Sequence, residues 1–87
     1  MPKTDLQKIP GVGPNIEKHL LALGYTSIAS LQGAAPQQMF DYDCELQGCR
    51  LDRCLLYVYR LAVYYADNPV HEPEKLKWWY WKNHNYV

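Results

Sequence analysis

Residues 9–15, IPGVGPN, interrupt two helically patterned segments and impose a tight turn between them. Gly11 and Gly13 allow backbone angles that a Cβ would penalise. Pro14 suits the first position of a helix, because an N–H at that position has no intrahelical partner in any case. The start of the chain is therefore predicted to form two short helices joined by this hairpin (residues 9–15).

Further glycines and prolines divide the chain into about five short helices. The first ends near residue 9 with Thr4 as its N-cap, and the second occupies residues 14–23 before Gly24. A short third helix covers residues 27–34. The fourth begins near residue 36, and its predicted apolar anchors are Met39, Phe40 and Leu46. The longest helix runs from about residue 50 to residue 66, where DNP ends it.

The longest predicted helix carries two stripes of residues at helical spacing. The core stripe comprises Leu51, Cys54, Leu55, Val58, Ala62 and Tyr65, and the second stripe comprises Arg53, Tyr57, Arg60 and Tyr64. The second stripe either ties the helix to its neighbours through Arg–Tyr pairs, with a nearby acid as ion-pair partner, or binds phosphate and stacks on bases. Because this helix is apolar on most of its circumference, it is either central or shared with a second chain in a homodimer.

These elements predict an all-α fold: a compact bundle of about five short helices in one domain spanning residues 1–87. Residues 1–33 form the first helical hairpin unit, and residues 36–67 form a second, degenerate copy with the break LQGCR. Residues 70–87 form an aromatic, basic tail, either as an extended arm or as a short helix.

Composition narrows the classes of function. A chain of 87 residues accommodates one domain, and a hydrophobic content of 48% favours a folded chain over a disordered one. The net charge of zero argues against a strongly basic, non-specific nucleic-acid binder. No apolar run has the length of a signal peptide or a membrane span, so we predict a cytoplasmic protein without a membrane partner.

The hairpin brings backbone N–H groups to the start of a helix. Amides in this position, assisted by the helix dipole, form a small anion site. The amides of Gly11, Val12 and Gly13 are the predicted phosphate donors, with the Val12 side chain pointing inward. The alternative is that the turn only packs two helices together.

The segment LQKIPGVGPNIEKHLLALG resembles a helix-hairpin-helix element. In that family the hairpin binds a DNA backbone phosphate without reading sequence, and its carbonyls sometimes bind a monovalent cation. The resemblance extends both expectations to this chain. This chain departs from the family at Asn15, where DNA-binding members often have lysine, and at Glu17, where they usually have a small residue. Lys8 and Lys18 remain as the predicted cationic helpers.

The whole chain resembles a narrower family, and the segments GCRLDRC and KLKWW carry the resemblance best. This family consists of small bacterial helix-hairpin-helix proteins labelled as pathogenicity-locus or mitomycin-resistance-like proteins. The resemblance implies a fold more than a function, because the family has no established biochemical activity.

Three cysteines, Cys44, Cys49 and Cys54, recur at intervals of five residues. Together with one of the three histidines they would suffice for a tetrahedral zinc site, but the spacing lacks the close cysteine pairs typical of zinc. We expect no metal and interpret Cys54 as a small buried core residue with Cys44 packed opposite. A redox role is the remaining alternative.

The tail carries Lys75, Lys77 and Lys82, which are predicted to form a second contact with nucleic acid. Its four consecutive rings, residues 78–81, cannot all face one core. Trp78 and Trp81 are expected to close over the core, and the alternative is a binding surface of rings and lysines.

The chain shows no catalytic motif, so it is predicted not to be an enzyme. The acids Asp41, Asp43, Glu45 and Asp52 are interpreted as a solvated face. Two hypotheses follow. The first is a non-enzymatic nucleic-acid-binding module that contacts DNA phosphate through the hairpin backbone. The second is a protein-interaction or homodimerisation domain with a purely structural hairpin.

Overall fold

A computed structural model describes residues 5–84, and all regular structure in that range is helical. The three α-helices are α1 (Pro14–Ala22), α2 (Pro36–Gln47) and α3 (Arg53–Asp67). Single 3₁₀ turns lie at Leu6–Lys8, Ala29–Leu31, Pro73–Leu76 and Trp78–Lys82. The all-helical fold is therefore confirmed, but only three of the predicted five helices are α-helices. Thr4, the predicted cap of the first helix, lies outside the described residues.

The helix boundaries follow from local chemistry. Proline occupies the first position of both α1 and α2, where its missing N–H leaves no acceptor unpaired. Gly48 ends α2 in the left-handed conformation, with φ +70°. The Asp52 carboxylate caps α3 by accepting the Cys54 N–H at 2.9 Å. The predicted first and third helices are only 3₁₀ turns, because glycine or proline breaks confine each of them to a few residues.

Helix α3 lies at the centre of the molecule. It packs against α2, the Ala29–Leu31 turn and the tail turns, so nearly its whole circumference is covered. The buried residues of α3 are Leu55, Leu56, Val58, Tyr59, Leu61, Ala62, Val63, Tyr64 and Ala66. The predicted core stripe was too narrow for a central helix. It was wrong at Cys54, which is exposed in the first turn of α3, next to the Asp52 cap.

Helix α2 contacts the core through Met39, Phe40 and Asp43. Leu46 was predicted as an anchor, but it is 46% exposed. It lies in the last turn of α2, beyond Asp43, the last buried residue of the helix. Among residues 5–84, no helix combines the length and apolar character needed to cross a membrane.

Candidate nucleic-acid interface

Some backbone amides of the hairpin, at the start of α1, have no acceptor among the described residues. Gly11 has φ +86°, a backbone angle that is energetically costly for a residue with a side chain. The N–H groups of Gly11 and Gly13 donate to no acceptor in the part of the chain that is described. The Val12 N–H instead donates to the Ile9 carbonyl at 3.0 Å, and the Val12 side chain is buried. The turn therefore uses one of the three predicted phosphate donors itself, which leaves two.

Two further amides extend this set. The N–H groups of Asn15 and Ile16 lie in the first turn of α1 and have no intrahelical acceptor. With the amides of Gly11 and Gly13 they make four backbone donors around one helix start. The helix dipole adds partial positive charge at the same place.

The side chains near the hairpin carry mixed charge. Lys8 and Lys18 are exposed, and neither forms an ion pair with another described residue. Glu17 is half-buried, and its carboxylate accepts a hydrogen bond from the Gln7 side-chain amide at 3.1 Å. The anion at residue 17 therefore stays close to the predicted phosphate site, where it opposes the two lysines.

The tail reaches the hairpin through Trp78. A Cβ on Gly11 would lie 3.8 Å from the Trp78 Cβ and 3.7 Å from the Leu61 Cδ2. The adjacent Trp79 is 55% exposed, and the Lys77 Nζ lies 6.0 Å from the centre of its ring. The exposed Lys77–Trp79 pair therefore flanks the tail residue that contacts the hairpin.

The three predicted tail lysines lie in different environments. Lys75 Nζ lies 2.6 Å from Glu72 Oε2, and this hydrogen bond raises the pKa of Lys75. Lys77 stands next to the exposed Trp79 ring. Lys82 lines a cleft between α2 and α3 that has no hairpin residue in its walls. Only Lys77 therefore combines proximity to the hairpin with an unpaired charge.

Comparison with known proteins identifies the family. The family described as Pathogenicity locus matches residues 2–86. The chain belongs to this family. It is also 30% identical over 78 residues to "Mitomycin resistance protein McrB" of Streptomyces lavendulae, a match that covers 90% of this chain and 70% of that protein. No solved structure matches the chain. The predicted family resemblance is thereby confirmed.

In this Pathogenicity locus protein the tail rings close over the core as expected. Trp81 is 3% exposed, and its indole N–H donates to the Lys75 carbonyl at 2.9 Å. Trp78 is half-buried against the same core, whereas Trp79 faces outward. The consecutive rings therefore do not all face the core: Trp78 and Trp81 pack on it, and Trp79 lies on the surface.

The cysteines do not converge. Among residues 5–84, no three histidine, cysteine or acidic side chains are placed to hold a metal ion together. Cys44 is half-buried, and its sulfur accepts the Leu51 N–H at 3.4 Å. Cys49 and Cys54 are exposed thiols, and a hydrogen bond with Asp52 raises the pKa of Cys54. The higher pKa lowers the thiolate population, which argues against Cys54 as an activated nucleophile.

A buried polar cluster, missed in the sequence, ties α1 to the rest of the fold. Asp43 on α2 is fully buried, so its assignment to a solvated acidic face was wrong. Its Oδ2 accepts the Tyr59 hydroxyl at 2.6 Å and lies 2.7 Å from His19 Nδ1. The available signal was its position on α2, one turn after Met39 on the apolar face.

The cluster gives folding stability an alkaline limit. Burial and the neighbouring Asp43 raise the pKa of Tyr59 far above its ordinary value of 10.0. The unfolded phenol therefore ionises near pH 10 while the folded one stays neutral, so stability falls as pH rises above about 10, by about 1.4 kcal/mol per pH unit. We expect urea unfolding between about pH 8 and pH 11 to show this fall in stability above about pH 10, and Tyr59→Phe to remove the part that the phenol causes.

Tyr42→Phe is the matched control, because Tyr42 lies on the surface. It should leave the alkaline slope unchanged. An identical slope in wild type and Tyr59→Phe would show that the buried phenol does not limit stability.

Proposed function

We propose that this protein is a non-enzymatic nucleic-acid-binding module whose hairpin holds a DNA backbone phosphate without reading the base sequence. The observation that supports the proposal best is the group of amides at the start of α1 that have no acceptor among the described residues, beginning with Gly11 and Gly13. Backbone amides bind phosphate independently of side-chain identity, so the Asn15 and Glu17 departures weaken this site without removing it. A monovalent cation at the hairpin carbonyls belongs to the same proposal.

The charges around the hairpin determine the expected affinity for duplex DNA. The cations available to contact DNA backbone phosphates near the hairpin are Lys8, Lys18 and Lys77. The negative charge of Glu17 offsets part of their attraction for phosphate. Three lysine–phosphate contacts give a slope of about −3 in a plot of log K against log salt concentration. We therefore expect weak duplex binding that is measurable at about 50 mM salt and mostly lost at about 200 mM. The proposal includes a cytoplasmic location.

The decisive variant is Gly13→Asp. Gly13 is the N-cap of α1, its φ is −97°, and a Cβ there would meet no atom within 4 Å. Aspartate is a favoured N-cap, so the variant is expected to fold at least as well as wild type. Its carboxylate would bond the first-turn amides and repel phosphate. We expect duplex affinity to fall by about tenfold or more, equivalent to about 1.4 kcal/mol, in fluorescence anisotropy at low salt.

Gln38→Glu supplies the matched control, because it adds the same charge at an exposed site on α2. It should bind duplex nearly as well as wild type. Undiminished binding by Gly13→Asp would exclude the hairpin as the phosphate site. If wild type shows no binding at about 50 mM salt with protein in the tens of micromolar, DNA binding itself is excluded.

A second candidate function is a protein-interaction or homodimerisation domain with a structural hairpin. Tyr42 and Leu46 lie one turn apart on α2, and they are 54% and 46% exposed. Since α3 is covered within the domain, a self-contact would use this α2 surface and not the longest helix. Sedimentation equilibrium separates the two candidates: a dimer that Leu46→Glu dissociates would favour the second.

A further inference from the structure

A basic cleft lies between α2 and α3, on walls that do not include the hairpin. Its volume is about 750 Å³, within the range of small-molecule sites. The turn after α2 and the end of the tail complete its walls. The cationic side chains of this basic cleft are Arg50, Arg53, Arg60 and Lys82.

These four cations lack carboxylate partners in the described part of the chain. The ion pairs found between described residues are His19–Asp43 and Lys75–Glu72, and neither involves the cleft. The same walls carry two carboxylates, Asp41 and Glu45, so the cleft keeps an excess of two positive charges, which a bound anion offsets. Half of the eight described lysines and arginines line this one cleft.

Arg60 is already oriented for binding. It is half-buried, and its Nη1 donates to the carbonyls of Trp81 and His84 at 2.7 and 3.3 Å. Its guanidinium carbon lies 5.6 Å from the centre of the Tyr57 ring. Nη1 donates both of these hydrogen bonds, so the hydrogens on Nε and Nη2 are available to donate to a ligand. A fixed guanidinium loses less conformational entropy when it binds a phosphate.

The other walls suit the remainder of a nucleotide. The Tyr57 ring lines the cleft beside the Arg60 guanidinium, and an aromatic ring next to an arginine is a stacking partner for a base. Asp41 and Glu45, one turn apart on α2, add two carboxylates to the same cleft. These carboxylates disfavour a bare inorganic anion but accept hydrogen bonds from the exocyclic amine of a base. The cleft thus combines a phosphate site, a stacking surface and hydrogen-bond acceptors.

We propose that the basic cleft binds a nucleoside phosphate, with the phosphate at Arg53, Arg60 and Lys82 and the base against Tyr57. A free mononucleotide and the terminal nucleotide of a single strand present the same chemistry. The site stands independently of the hairpin. Its failure would leave duplex binding at the hairpin untouched.

Isothermal titration of the full chain with AMP, adenosine and inorganic phosphate tests the chemistry. AMP should bind at least about tenfold more tightly than either fragment, since phosphate and base contacts add. A 5′-phosphorylated single-stranded oligonucleotide and its unphosphorylated form identify the source. If the phosphorylated strand binds and its unphosphorylated form does not, the site recognises strand ends. If AMP binds as tightly as the phosphorylated strand, the site recognises free nucleotides.

Arg53→Glu is the test variant, because Arg53 is exposed and makes no hydrogen bond or ion pair with another described residue. It should fold normally and weaken AMP or strand-end binding by about tenfold or more. Lys18→Glu makes the same change in charge at the hairpin and should leave this binding intact, while Arg53→Glu should leave duplex binding intact. Equal binding of AMP and phosphate, unchanged binding in Arg53→Glu, or no binding of any probe at about 5 mM would overturn the proposal.

Discussion

Replacing Asp43 with alanine is expected to lower the free energy of unfolding by about 3 kcal/mol. The side chain is fully buried, and it accepts the Tyr59 hydroxyl while facing His19. Removing the carboxylate leaves a buried phenol without its acceptor and opens a small cavity between α2 and α3. Because a domain of this size has a total stability of only about 5–10 kcal/mol, the loss should be evident in urea unfolding.

Two companion variants show which part of the interaction matters. Asp43→Asn keeps an oxygen acceptor but removes the charge, so its loss should lie between those of wild type and Asp43→Ala. Asp41→Ala on the same helix, at an exposed position, should change stability by no more than about 0.5 kcal/mol. If Asp43→Ala were as mild as Asp41→Ala, the cluster would be dispensable for folding.

The cluster also connects the fold to the proposed hairpin function. His19 lies on α1, the helix whose first turn supplies the predicted phosphate amides. Its contact with Asp43 on α2 fixes the orientation of α1 against the larger part of the domain. Loss of Asp43 is therefore expected to weaken duplex binding as well as stability, because α1 and its hairpin would lose their fixed position relative to Lys77 in the tail.

Turn chemistry was the part of the fold that the sequence predicted best. Proline at the first position of α1 and α2 and glycine after α2 set helix boundaries through backbone angles alone. The same local reasoning predicted the tight turn at residues 9–15, although it did not foresee that the Val12 N–H donates to the Ile9 carbonyl. These features depend on neighbouring residues in the chain, which is why the pattern was sufficient.

Features that depend on the packing of distant elements were predicted poorly. Helical spacing predicts a single buried stripe on α3, but α2 and the tail cover the helix from different sides, so Tyr59 and Leu61 are also buried. The sequence predicts a surface position for Asp43, because the partners that bury it lie 16 and 24 residues away. The basic cleft likewise joins Arg53 and Arg60 on α3 to Lys82 in the tail, which no spacing rule connects.

Trp81→Ala is expected to cost about 3–5 kcal/mol, the largest loss predicted for a single substitution in the tail. The ring is almost fully buried and lies 5.5 Å from the Tyr64 ring, centre to centre. Its indole N–H donates to the Lys75 carbonyl, and its own carbonyl accepts from Arg60. The substitution removes the packing and the indole bond together, so the tail should detach from α3.

Trp79→Ala provides the matched control, since the same change two residues earlier removes a ring that is 55% exposed. It should alter stability by no more than about 0.5 kcal/mol in urea unfolding. Amide exchange should separate the variants further: residues 73–84 lose protection in Trp81→Ala and keep it in Trp79→Ala. Because detachment of the tail also displaces Lys82 and the carbonyls that hold Arg60, Trp81→Ala should abolish nucleotide binding at the basic cleft. A stable Trp81→Ala variant that retains such binding would show that the tail does not build that site.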